Sequence, residues 1–101
     1  MPVAETELEY KNPFQLLVAV ILSAQCTDKR VNMITPELFK HFPDPETLAA
    51  ASPGEVFTYI RSISYPNNKA KHLVGMANML VNDFHSRVPE TTEDLTKLPG
   101  V

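Results

Sequence analysis

The chain is poor in cysteine, with Cys26 alone among its 101 residues. A single thiol forms no internal disulfide and cannot supply a Cys-rich metal or iron–sulfur site. With no His or second Cys near it in sequence, Cys26 reads as a small, partly buried helix-end residue rather than a reactive thiol. Excess positive charge is lacking too. Nine Lys and Arg stand against twelve Asp and Glu, a formal charge of −3, so the chain has no global electrostatic footprint of a nucleic-acid binder. Any contact with DNA would need a local patch, or basic residues that this chain does not contain. No apolar run is long enough to cross a bilayer, and the first dozen residues are polar and acidic where a signal peptide would be apolar. A cytoplasmic protein without a membrane partner is the expectation. Nor does any stretch alternate apolar and polar residues as a half-buried strand does.

What the chain does have is helix punctuation around one apolar rod. From Pro13 to Leu22, eight of ten residues are apolar, too many for an ordinary buried strand. Asn12 can cap this helix with Pro13 at its first position, and Gln15 is placed to reach back to the cap. A helix apolar on nearly every face must be wrapped by others, with Leu17 and Ile21 at the centre. It ends abruptly in Ser23, Gln25, Thr27 and Asp28, a polar cluster delivered at the far end of the rod.

The remaining elements follow in order. Thr27 can cap a second helix carrying Val31, Ile34, Leu38 and Phe39. Pro36 is expected to kink it or divide it in two, with Thr35 capping the second piece. Asp44-Pro45 opens a short helix through Leu48 and Ala51. Ser52-Pro53-Gly54-Glu55 is a capping box opening another through Val56, Tyr59 and Ile60. After the turn Ser64-Tyr65-Pro66-Asn67, the longest amphipathic run covers about residues 68–85. Its core stripe is Leu73, Val74, Ala77, Leu80, Val81 and Phe84, with Met76 and Met79 flanking it as packing residues. Thr91 or Thr92 caps a last short helix that stops at Leu98-Pro99-Gly100-Val101. The pattern predicts an all-α bundle of about six short helices, residues 12–101, behind an extended lead-in at 1–11.

Few of these residues suggest chemistry. His41, His72 and His85 lie on different helices without metal-ligand spacing and read as solvent-facing. Glu46, Glu55, Glu93 and Asp94 occupy first turns, where the helix dipole favours them. Asp28 follows the polar helix end, but capping accounts for Thr27-Asp28 equally well. The turn Leu98-Pro99-Gly100-Val101 is either a plain helix stop or a phosphate-binding turn that offers backbone N–H groups without any positive side chain.

Several strings together carry a family resemblance. Asn12-Pro13-Phe14, Leu16-Leu17-Val18-Ala19 and Leu22-Ser23-Ala24-Gln25-Cys26-Thr27-Asp28 resemble the endonuclease III family of the helix-hairpin-helix DNA glycosylase superfamily. Further matches follow in order: Val31-Asn32, Tyr59-Ile60, Asn67-x-Lys69-Ala70, Val88-Pro89 and Leu95-x-x-Leu98-Pro99-Gly100-Val101. The similarity covers nearly the whole chain.

The resemblance implies most of a six-helix barrel domain, ending inside the helix-hairpin-helix motif. It implies a parent protein that acts in base-excision repair as a bifunctional DNA glycosylase and apurinic-site lyase on oxidised pyrimidines in double-stranded DNA. In that family the hairpin continues as Gly-x-Lys or Gly-x-Arg into a helix bearing a catalytic lysine, which attacks the sugar C1′. An aspartate and four cysteines holding a [4Fe–4S] cluster come later, so all would fall beyond Val101. This chain would carry no cofactor and no catalytic residue; Lys97 lies on the wrong side of the turn. Gln25 matches the residue that enters the stack where the damaged nucleotide is flipped out, with Ser23 beside it. Tyr65 stands where the family often has a wedging leucine, and either stacks into the duplex or packs on its own domain. Leu98, Pro99, Gly100 and Val101 would form the phosphate-gripping hairpin. Apart from the resemblance, the alternative is a catalytically silent helical module that binds DNA or another protein.

Overall fold

The computed structural model describes residues 8–100, and every regular element among them is a helix. Most of the lead-in and Val101 lie outside the described residues. The elements are α1 (Pro13–Ser23), α2 (Asp28–His41), α3 (Pro45–Ala50), α4 (Pro53–Ile60), α5 (Pro66–Asp83) and α6 (Thr92–Leu95).

Local chemistry explains most of the boundaries. The Asn12 side chain accepts from the Gln15 N–H at 2.9 Å, and Gln15 reaches back one residue further than expected, accepting from the Lys11 N–H at 2.9 Å. Thr27 Oγ1 accepts from Arg30 N at 3.2 Å. Asp44 with Thr47, and Ser52 with Glu55, form full capping boxes, and Thr91 caps α6. Each cap supplies an acceptor to an N–H group that has no partner inside its own helix.

Two expectations need correction. Pro36 does not divide α2, which runs unbroken from Asp28 to His41, and Thr35 is buried inside it rather than capping a second piece. A mid-helix proline removes a backbone bond and crowds the preceding turn. Here the buried residues Val31, Thr35 and Leu38 hold both sides of the proline against the core, and Pro36 faces solvent. The second concerns α5, which begins two residues earlier than the amphipathic pattern suggests, at Pro66. Its buried line is Lys69, Ala70, Leu73, Met76, Ala77 and Leu80. Met76 is therefore at the centre of the stripe, and Val74, Val81 and Phe84 are only half-buried.

α5 is the longest helix and packs most extensively on α3 and α4, while α1 lies against α2 and α5. Val18, Ala19, Ile21 and Leu22 of α1 are at most 2 % exposed, as are Leu38, Leu48, Ile60, Leu73 and Leu80. The rod is wrapped on all sides but one, where Val20 remains 39 % exposed. Leu8, the first described residue, joins the core, and the next N–H, of Glu9, donates to Asn32 Oδ1 at 2.9 Å. The consequence for function is that the end of α1 and the start of α5 come together at one end of the bundle.

Candidate nucleic-acid interface

At the end of α1 the backbone turns sharply. Ser23 is the last helical residue, Ala24 is extended, and Gln25 adopts a left-handed conformation with φ of 56°. The Cys26 N–H closes this turn onto the Ser23 carbonyl at 3.0 Å, and Thr27 then caps α2. Such a φ costs a non-glycine residue on the order of 1–3 kcal/mol and persists only where surrounding contacts impose it. Gln25 is nonetheless exposed. Ser23 behaves differently: its Oγ donates back to the Val20 carbonyl at 2.8 Å, so the hydroxyl is turned onto its own helix.

The start of α5 repeats the same backbone state. Tyr65 occupies the N-cap position with φ of 53° and ψ of 54°, and its side chain makes no capping bond. Its ring is 61 % exposed. Ordinary N-caps are extended and use a short polar side chain; this one is left-handed and aromatic.

The hairpin residues approach the same place from the far end of the chain. Gly100 has φ of +80°, and a Cβ there would stand 3.0 Å from His72 Cβ and 3.1 Å from His72 Nδ1. Glycine is required at that position both by the conformation and by the lack of room. Pro99 lies against Gly75, whose missing side chain makes the approach possible: a Cβ on Gly75 would be 3.3 Å from Pro99 Cγ. Leu98 is 2 % exposed and anchors the turn in the core. Lys97 is paired with Asp94 at 3.2 Å on the surface.

These turns frame a shallow cleft of about 220 Å³, lined by Ile21, Ala24, Gln25, Tyr65, Asn68, Lys69, His72 and Gly100. Gln25, Tyr65 and Gly100, three of the residues singled out from sequence, thus border one cleft although 75 positions separate the first from the last. Ser23, Leu98 and Pro99 are not among its lining residues, Pro99 packing against Gly75 instead, and Val101 lies outside the described residues. Among the described residues, none that lines the cleft carries a carboxylate side chain, although the chain as a whole is acidic. A larger hollow of about 580 Å³ lies between the end of the lead-in and α2, lined by Tyr10, Gln15, Pro36 and Phe39 among others. Gln15 is already engaged by the Lys11 N–H there, and none of the three converging residues borders it.

Lys69 is the residue that sequence reasoning passed over. It is 5 % exposed, and its Nζ donates to the Leu22 carbonyl at 2.9 Å and also to the Ala24 carbonyl. These are carbonyls at the end of α1, where the helix offers no internal N–H and the dipole favours a cation. Burial pushes its pKa below the ordinary lysine value, with nearby Cys26 opposing that shift. The available signal was a charged residue four positions before Leu73, on the apolar line of α5.

Among the described residues, no group of three or more His, Cys, Asp or Glu could hold a metal ion. One cysteine cannot hold an iron–sulfur cluster, so the residues of this chain do not fit such a group. No described helix is long and apolar enough to cross a membrane.

Comparison with known proteins gives concordant results. Endonuclease III of Synechocystis sp. is 47 % identical over 100 residues, covering 99 % of this chain and 46 % of the relative. Endonuclease III of Bacillus subtilis is 45 % identical over the same share of each chain, and that of Escherichia coli 38 % identical over 99 % and 47 %. The chain therefore spans about half the length of the curated relatives it matches. A solved structure of a trapped endonuclease III–DNA covalent intermediate superposes with a TM-score of 0.93 at 43 % identity, covering 97 % of this chain and 46 % of that one. A thermostable thymine-DNA glycosylase superposes with a TM-score of 0.84 at 27 % identity, covering 92 % and 43 %. The family model for HhH-GPD superfamily base excision DNA repair proteins matches residues 18–100, and the chain belongs to that family.

Proposed function

We propose that this chain is the DNA-gripping part of a base-excision repair enzyme of the endonuclease III type. The whole protein would be a DNA glycosylase and apurinic-site lyase acting on oxidised pyrimidines in double-stranded DNA in the cytoplasm. The observation that carries the reading is the convergence of Gln25, Tyr65 and Gly100 on one cleft. Gln25 and Tyr65 project from turns held in a costly conformation, as residues that must present a side chain to a partner often do. In this role Gln25 fills the space left by a flipped nucleotide, and the exposed Tyr65 ring stacks on a neighbouring base. Within the Leu98–Gly100 turn the Leu98 N–H is held by the Leu95 carbonyl and Pro99 has none, so the Gly100 N–H is the donor it can offer to a phosphate, a contact that needs no positive side chain.

Among the described residues lining the cleft, no lysine amine is left free. Lys69 is the one lysine among them, and a buried lysine of lowered pKa is in principle an activated amine. Its Nζ, however, is directed into two main-chain carbonyls rather than towards the opening. The attacking lysine, a catalytic aspartate and the [4Fe–4S] cluster belong, in this proposal, to the part of the relatives that this chain does not span. Borohydride trapping on an abasic-site oligonucleotide tests it. The 101-residue chain should form no covalent adduct above background, while the whole protein should form one readily. An adduct at a comparable rate with the short chain would make one of its own lysines the nucleophile and overturn the assignment.

A further inference from the structure

Lys69 has two sets of bonds that reach the two left-handed turns separately. Its ammonium holds the carbonyls of Leu22 and Ala24. The Ala24 carbonyl belongs to the peptide plane that leads directly into Gln25, so fixing that oxygen restricts the rotation that sets φ at Gln25. Its backbone N–H donates to the Tyr65 carbonyl at 3.1 Å, closing the first turn of α5 immediately after the left-handed Tyr65. One residue thus ties the Gln25 turn to the Tyr65 turn across a separation of more than forty residues in sequence.

Packing alone does not call for a lysine here. Its α5 neighbours on the buried line are Ala70 and Leu73, and an apolar side chain of similar length would fill the site without burying a charge. Such a side chain would donate nothing. Two carbonyls would lose their donor, and the Ala24–Gln25 peptide could rotate until Gln25 relaxed to negative φ. We propose that Lys69 is a positioning residue that locks the Gln25 turn and couples it to the Tyr65 turn, so that both side chains face DNA from one cleft. This rests on the DNA-facing roles proposed above for Gln25 and Tyr65.

Lys69→Met in the whole protein keeps the unbranched side chain to within one atom of its length and removes its donors. The coupling between the amide and Hα protons of Gln25, read by NMR, reports its φ. Affinity is measured for a duplex carrying a tetrahydrofuran abasic analogue against the intact duplex. In the variant, Gln25 should leave its left-handed value and the affinity for the abasic duplex should fall about tenfold, as expected for lost hydrogen bonds from a charged donor. Adding Gln25→Ala to Lys69→Met should then cost little more, because the two changes remove the same contact. A folded Lys69→Met protein with unchanged Gln25 coupling, or with unchanged affinity, overturns the proposal. A parent protein that shows no preference for the abasic duplex overturns the function proposed above, and with it the purpose assigned to Lys69. A preference retained by the variant overturns only the Lys69 proposal. Should Lys69→Met not fold, the parent's own Lys69 ammonium protons carry the test. They should exchange slowly and show contacts to Ala24 and Gln25 in the free and DNA-bound protein, and fast exchange in either state overturns the lock.

Discussion

The two ends of α5 share an unusual backbone state for different reasons. At the C-terminal end, His85 and Ser86 have φ of 56° and 66°. There the Ser86 N–H returns to the Leu80 carbonyl at 2.7 Å and the Arg87 N–H to Phe84 at 3.0 Å. This is how helices commonly stop: a left-handed residue turns the chain back and supplies donors to the last carbonyls. At the N-terminal end, Tyr65 has the same φ but a helix start does not call for it, and its side chain caps nothing. Gln25, on the opposite wall of the cleft, is in the same condition. One end of the helix is left-handed to finish a helix. At the other, no helix-ending bond accounts for the left-handed residue, and in the function proposed above it serves to aim a side chain.

The largest expected effects test whether the two ends are equally well founded. Ile21 and Leu80 are both at most 2 % exposed, and Ile21 also lines the cleft. Ile21→Ala and Leu80→Ala should each lower stability by about 2–5 kcal/mol, the range for truncating buried aliphatic residues. Denaturant unfolding measures both. Only Ile21→Ala should also weaken DNA binding under conditions where the protein stays folded, and a matching loss from Leu80→Ala would erase the distinction between the ends.

Glycine substitutions divide the ends at a smaller scale. His85→Gly and Tyr65→Gly each relieve a left-handed cost of about 1–2 kcal/mol, partly offset by the entropy of an added glycine. Thermal melts should find both variants as stable as the parent or slightly more so. Binding should separate them: His85→Gly should leave affinity for abasic duplex unchanged, and Tyr65→Gly should lose the roughly 1–3 kcal/mol of one stacked base. Equal affinities would mean that Tyr65 packs on its own domain.

The smallest effect is in pH. Because burial holds the Lys69 pKa below its ordinary value of 10.5, the unfolded chain binds more protons than the folded one between the lowered value and 10.5. Stability therefore rises with pH through that window, since the cost of burying the charged form disappears as both states become neutral. Denaturant midpoints taken across the window should climb more steeply for the parent than for Lys69→Met. Identical slopes would show that the ammonium is better solvated than its burial indicates.

Much of the helical framework was legible because its determinants are local. Asn12, Thr27, Asp44, Ser52 and Thr91 each announce a helix start within three residues of the N–H group they satisfy, and a reader of the sequence needs no partner helix to see it. The apolar rod and the strings shared with endonuclease III were legible for the same reason. The division into two helices at Pro36 fails because the proline's penalty is local while the compensation is not: whether α2 survives depends on what Val31 and Leu38 meet across the bundle. Met76 was assigned to the flank because an apolar stripe fixes a helix face only broadly, and the packing of α3 and α4 on α5 chose the line within it.

The sequence by itself thus determined the helix starts that carry a side-chain cap, that the domain is all-α, and which family it belongs to. Gln25 and Tyr65 could be nominated individually by resemblance. That they border one cleft, that Gly100 seats on His72, and that a buried lysine bonds the carbonyls beside one turn and the N-cap of the other were decided only in three dimensions. The physical reason is that a left-handed φ at a non-glycine residue is never favoured by the residue itself. At His85 and Ser86 the helix end itself supplies the bonds that hold it, but at Gln25 the side chain that bonds the preceding carbonyl is 45 residues away along the chain, in range only when the core has closed.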